Sequence, residues 1–146
     1  MNKKLKLKGI WTIERRLKDG TVLDSETIKN IIVNDGLERV ARLICGNSSS
    51  PFTHIGVGTD STTAVTTDED LIAEVDREAA TVAYEADYKA TFEKTMTFGS
   101  VYALREAGLF DSITASGSTM LNRVVFAEKA VSTVVDLYIK ITVTVS

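Results

Sequence analysis

The chain has 146 residues, 44% of them hydrophobic and 25% charged, with a formal net charge of −3. That length suits a single domain, 1–146, with one sizeable core, and the apolar share excludes disorder throughout. The acidic balance argues against nucleic-acid binding, and no apolar run approaches the ~18–20 residues that cross a bilayer.

Met1 to Lys8 is basic, with Lys3, Lys4, Lys6 and Lys8 among eight residues. It lacks the apolar stretch of a secretory signal, so a soluble product made in the cytoplasm is expected. The segment reads as an extended N-terminal arm that docks on a partner protein.

Leu5, Leu7, Trp11 and Ile13 alternate with Lys6, Lys8, Thr12 and Glu14, the pattern of a strand with one apolar face; Ile10 is the exception. Lys18-Asp19-Gly20 follows, and Asp-Gly between two strand-like runs signals a hairpin. The return strand is expected over 21–33.

Asn34-Asp35-Gly36 breaks the alternation, with Asp35 as the expected helix N-cap. Leu37, Val40, Ala41, Leu43 and Ile44 then recur at helical spacing, and Gly46 is a stop. A helix over about 36–45 is too short to stand alone and must pack on the sheet. Cys45, the single cysteine, reads as a buried small hydrophobe.

Residues 47–51 form a loop, 52–57 a short strand, and 58–70 a surface loop rich in Thr, Ser and Asp. Leu71, Ile72, Val75 and Arg77 begin another extended segment. From Thr81 to Phe98 the apolar or small residues fall mostly on even positions, which predicts one strand of about seventeen residues, roughly 55 Å long. Strands are expected over 101–110 and 120–126, with a loop over 111–118 between them. The clearest alternation is the last: Val135, Leu137, Ile139, Ile141, Val143 and Val145 against Asp136, Tyr138, Lys140, Thr142 and Thr144. The fold class is therefore mainly β, an antiparallel β-sandwich or barrel-like domain with one short helix.

The chemistry-bearing residues are sparse. Gly56-Val57-Gly58-Thr59-Asp60 lacks the third glycine and the following helix of a phosphate-binding loop, and reads as a strand ending in a turn. His54 is the only histidine and has no nucleophile motif to serve, so it reads as structural. Asp60, Asp68, Glu69 and Asp70 could offer oxygen ligands to calcium, but their spacing is not that of an EF-hand. Glu74, Asp76 and Glu78 alternate on one face of a strand and are expected to be solvated or paired with neighbouring cations. No catalytic, metal or cofactor site is expected, and no enzyme.

Several pieces in order carry a resemblance. They are residues 30–37, NIIVNDGL; 40–46, VARLICG; 53–59, THIGVGT; 71–77, from Leu71 through Val75 to Arg77; 106–111, EAGLFD; and 120–123, MLNR. In this order and spacing the chain resembles small structural proteins of tailed bacteriophages and prophages, and also amino-terminal domains of phage tail fibres. The resemblance spans roughly 30–126. It implies a component of the virion, assembled in the host bacterium. A capsid decoration (cement) protein is the first expectation, a homotrimer bound to the major capsid protein. A tail, fibre or baseplate adaptor is the alternative. The expected contact residues are Lys3, Lys4, Lys6, Lys8, Ile10 and Trp11 in the arm, then Thr59 and Asp60 at the start of the acidic loop. A host-surface or carbohydrate-binding module would require exposed aromatics in loops, and a small enzyme a cluster of titratable groups.

Overall fold

The structure, a computed structural model, describes residues 6–146. The alternating segments form strands β1 (Leu7–Leu17), β2 (Val22–Lys29), β3 (Ile31–Ile32), β4 (His54–Gly58), β5 (Glu74–Ala79) and β6 (Thr81–Glu85). They continue as β7 (Lys89–Met96), β8 (Tyr102–Phe110), β9 (Met120–Val131) and β10 (Val135–Val145), with the helix α1 (Asn34–Ile44) after β3. Two antiparallel sheets pack face to face, in the orders β2-β1-β10-β7-β6 and β3-β9-β8-β4-β5. The fold is a β-sandwich with one helix.

Period-two side-chain placement explains the core. Trp11 and Ile13 of β1, Phe92 and Met96 of β7, and Leu137, Ile139, Ile141 and Val143 of β10 point inward from the first sheet. Ile55, Val57, Leu104, Ala107, Leu109, Val124 and Phe126 meet them from the second. Each large side chain buried this way contributes about 1.5–3 kcal/mol. A smaller cluster of Val33, Leu71, Phe110 and Met120 lies apart from this core.

Both lateral seams are crossed by the chain itself. β2 leaves the first sheet and enters the second as β3 through Asn30, and β5 leaves the second and enters the first as β6 through Ala80. Strands that switch sheets in this way make the corners of a closed sandwich. Asn30 fixes one corner: its Oδ1 accepts from Trp11 Nε1 at 2.9 Å and from Asn122 Nδ2 at 3.2 Å. Gly9 opposite leaves the room, since a Cβ there would run into the Asn30 amide.

Several expectations are corrected. The single strand over 81–98 is a hairpin, β6 and β7, turning at Ala86-Asp87-Tyr88 with Asp87 and Tyr88 both at φ 66°. The return strand over 21–33 is split at Asn30 between the two sheets. The hairpin at Asp19-Gly20 forms as read, with Gly20 at φ 91° and the Asp19 carboxylate accepting from Thr21 N–H at 2.9 Å. Asp35 does not cap α1; Val33 occupies that position, with no side-chain capping bond, and Asp35 lies in the first turn.

The helix also packs differently from its amphipathic pattern. Gly36 is its buried residue, pressed on β9 where a Cβ would lie 2.5 Å from the Leu121 carbonyl oxygen. Val40 reaches the core, but Leu37 and Ala41 are exposed and Ile44 is 78% exposed. Cys45 is exposed as well, at the helix C-terminus, against the expectation of burial.

Candidate functional site

The sequence-predicted contact residues that the structure describes separate into three environments. Lys3 and Lys4 lie outside the described residues. Lys6 and Lys8 are exposed, but they do not belong to a free arm. Lys6 exchanges backbone hydrogen bonds with Ser146 at 2.6 and 2.9 Å, and Leu7 and Lys8 pair with Val145 and Thr144. The described part of the arm is thus the first rung of β1. Trp11 is corrected outright: it is fully buried in the core and has no surface to offer a partner. Its odd position sends it inward with Ile13, while Ile10 turns outward and is 43% exposed. Thr59 and Asp60 lie after β4, beside the second sheet, and do not join Lys8 and Ile10.

What the fold does bring together is the outer face of the first sheet. Opposite the core residues, β1 presents Ile10, Thr12, Glu14 and Arg16, and β10 presents Tyr138, Lys140, Thr142 and Thr144. Register places Thr27, Thr12, Lys140 and Glu93 in one row across four strands, and Lys29, Ile10, Thr142 and Thr91 in the next. A broad polar surface results, with cations and carboxylates interspersed. At one corner Lys8, Ile10 and Lys29, with Leu7, Gly9 and Asn30, line a shallow groove of about 210 Å3. Two cations beside an apolar floor suit an extended, acidic segment of another protein.

Tyr138 anchors the middle of this face. Its hydroxyl hydrogen-bonds the Glu93 carboxylate, and the Arg16 guanidinium stacks over its ring 3.7 Å from the centroid. Arg16 in turn binds Glu14 at 2.6 Å. Partial burial first, then the Glu93 carboxylate, push the phenol up to about 12. The Tyr138 hydroxyl therefore keeps its proton across the physiological range.

The opposite side of the molecule is organised by three arginines that sequence reading passed over. Arg123 is fully buried and binds the equally buried Glu106 at 2.7 Å, Asp68 at 3.2 Å and the Thr62 carbonyl at 2.9 Å. Glu106 also accepts from Ala73 N–H at 2.9 Å. The loop over 59–73 is therefore clamped at both ends to the second sheet. Asp60 faces the same guanidinium at 3.7 Å, and hydrogen bonds from Thr62 hold its carboxyl below the usual range. The acidic loop thus directs two of its carboxylates at the protein's own cation. No group of three or more metal-ligating side chains occurs among the described residues.

Arg77 lies 3.5 Å over the Phe110 ring and pairs with Glu74 at 2.7 Å. It also donates to the carbonyls of Ser112 and Thr114 and to Ser118, fixing the loop over 111–119. Arg39 of α1 reaches Asp111 and Thr119, which ties the helix to the same loop. None of the three arginines sits in a periodic pattern that marks burial. The usable signal was the loop carboxylates at 60 and 68, which need a cation that the loop itself does not contain.

The remaining candidates resolve into packing. A Cβ on Gly56 would meet the Phe110 ring at 2.8 Å, and one on Gly58 would meet Glu106 and the Ala73 carbonyl at 2.5 Å. The two glycines thus permit close approach within a strand. His54 Nδ1 contacts Thr53 Oγ1 at 2.8 Å, and desolvation followed by the Arg77 charge lowers its pKa. On β5, Glu74 pairs with Arg77, whereas Glu78 lies 3.8 Å from Lys94 and beside Asp76.

Comparison with known proteins returns no matching family model, no matching curated protein and no matching solved structure. No helix among the described residues is long and apolar enough to cross a membrane.

Proposed function

We propose that this chain is a structural protein of a tailed phage particle, a capsid decoration (cement) protein that binds the outer surface of the head and stabilises it. The observation that carries the reading is where the resembling segments fall. Residues 30–37, 40–46, 53–59, 71–77, 106–111 and 120–123 are scattered in sequence. In the fold they are β3, α1, β4, β5, the end of β8 and the start of β9, one sheet with its attached helix. A resemblance that gathers into one layer is the pattern of a shared platform. The other sheet is then free to carry a surface particular to this chain.

In this reading the outer face of the first sheet meets the shell. Lys8, Ile10 and Lys29 at the groove take a segment of the major capsid protein, and the surrounding threonines and charges set orientation. Each contact is weak, and many lattice sites engaged together raise the avidity. A protein that binds only the expanded shell stabilises it by linkage. The reading assigns the chain no catalysis, no cofactor, no nucleic acid and no membrane.

Immunogold or cryo-EM localisation on intact particles tests this. Regular density over the head is the expected result. Density at the tail tip, fibres or baseplate would make the chain an adaptor of the adsorption apparatus, the second function that the resemblance implies. At the residue level, Lys8→Glu with Ile10→Asp should weaken binding to emptied shells roughly tenfold or more, since two adjacent contacts of the groove are lost. Both side chains are exposed, so the fold should be retained. Unchanged binding would remove the groove from the contact.

A further inference from the structure

The four outermost strands of the two sheets are β2, β6, β3 and β5, and three of them carry the features that keep an edge from pairing. β2 holds Asp24, Glu26 and Lys29, and its pairing with β1 is bulged between Arg15 and Arg16. β3 is two residues long. β5 holds Glu74, Asp76, Arg77 and Glu78 and is irregular between Val57 and Gly58 of its partner strand. β6 has no bulge and a single charge, Glu85 at its end. Its sequence is Thr81-Val82-Ala83-Tyr84-Glu85, all five residues are exposed, and it pairs regularly with β7. Val82 and Tyr84 lie on the core-side face, opposite Phe92 and Ala90, so they extend the apolar inner surface beyond the edge of the sandwich. Tyr84 is 76% exposed.

The geometry points to β6 pairing antiparallel with β6 of a second copy of this chain, around a two-fold axis through Ala83. An antiparallel pair about an axis normal to the sheet places residues of like face opposite each other. With Ala83 facing itself, Val82 faces the second Tyr84 and Thr81 faces the second Glu85. Both copies then contribute an aromatic–β-branched pair, among the favourable cross-strand pairs, and no like charges meet. A shift of two residues one way sets Tyr84 against Tyr84 and Ala83 against Glu85, and the other way sets Val82 against Val82, so either loses both Tyr84–Val82 pairs; a shift of four sets Glu85 against Glu85. The register centred on Ala83 is thus the one that forms both Tyr84–Val82 pairs. The two first sheets become one continuous ten-stranded sheet, five from each copy. Val82 and Tyr84 of both copies fill the crevice beneath the seam. A two-fold pair takes the place of the trimer that the resemblance implies. It does not depend on shell binding, because the purified protein alone displays it.

Sedimentation over a wide concentration range, joined to cross-linking, tests the pairing. The full chain should show a concentration-dependent dimer, and Tyr84→Lys should weaken it roughly tenfold by removing both aromatic pairs. In a Cys45→Ser background, Ala83→Cys should form an intermolecular disulfide readily under mild oxidation. Val82→Cys should not, because residues two positions out of register lie beyond disulfide reach. A chain that stays monomeric throughout, an oligomer indifferent to Tyr84→Lys, or faster cross-linking at position 82 than at 83 would each overturn the proposal.

Discussion

Arg123 and Glu106 are both removed from water, and their value to the fold is asymmetric. A buried pair is a weak source of net stability, but breaking it strands an uncompensated charge. Arg123→Ala leaves Glu106 with only the Ala73 amide, and frees Asp60 and Asp68 from their cation. The expected loss is about 3–5 kcal/mol by urea unfolding. Glu106→Gln keeps the acceptor for Ala73 and leaves Arg123 its Asp68 and Thr62 partners, so it should cost about 1–2 kcal/mol. Equal losses in the two variants would mean that the clamp on the loop over 59–73 is not built as described. Glu78 supplies a second test, through pH. Desolvation, then the neighbouring Asp76, raise its pKa from 4.5 to about 7, with Lys94 opposing. Between those two values the folded chain holds a proton that the unfolded chain has released, so stability falls as pH rises through the window. Glu78→Gln should flatten that slope and stabilise the protein above the window by about 1 kcal/mol once solvent screening is allowed for. A variant that retains the full slope in a pH series of thermal melts would place the titration elsewhere.

At the level of elements, the strands with one core-facing side were legible and the turn inside the longest predicted strand was not, for a reason that lies in the register. β6 and β7 pair Glu85 with Lys89 and Val82 with Phe92, so the two positions of every pair sum to an even number. Even residues therefore share the core-side face in both strands, and the alternation runs through the turn without a break. The turn also lacks the glycine that marks such positions, because Asp87 and Tyr88 take the left-handed conformation themselves. For a bulky residue that conformation costs about 1–2 kcal/mol. Tyr88 is 74% exposed, so Tyr88→Gly loses little packing and should raise stability by about 0.5–1 kcal/mol in thermal melts. The helix was legible in position but not in orientation. Its apolar stripe predicted the buried side, whereas the short contact at Gly36 and the Arg39–Asp111 pair hold it with Leu37 and Ile44 outward. Gly36→Ala separates the two determinants by sign. Helix propensity alone favours the change by about 1 kcal/mol, but a Cβ would lie 2.5 Å from the Leu121 carbonyl oxygen, and overpacking of that kind costs about 1–3 kcal/mol. Net destabilisation is expected, together with faster hydrogen exchange in α1.

For the molecule as a whole, the decisive contact is between the two ends of the described chain. β1 and β10 are paired over eleven residues, from Leu7 with Val145 to Leu17 with Val135, and they lie inside the first sheet with β2 and β7 as outer neighbours. The sandwich therefore cannot close until its last strand is in place. Such non-local pairing also puts folding on the millisecond-to-second scale usual for all-β domains. β10 brings Leu137, Ile139, Ile141 and Val143 into the core. At about 1.5–3 kcal/mol each, their burial amounts to roughly 6–12 kcal/mol, comparable with the whole stability of an ordinary domain. Its loss would also leave β1 and β7 with open edges on either side of a gap. A chain ending before Val135 should therefore show no cooperative thermal transition and no near-ultraviolet circular dichroism. A synthetic peptide covering 135–146 should restore both when added in excess, because the missing strand carries its own alternation and its register is set by the facing core residues. A truncated chain that melts cooperatively without the peptide would show that the second sheet, with its arginine clamps and its small cluster around Phe110, holds a fold by itself. The first sheet would then be an addition to a self-sufficient platform and not half of one core.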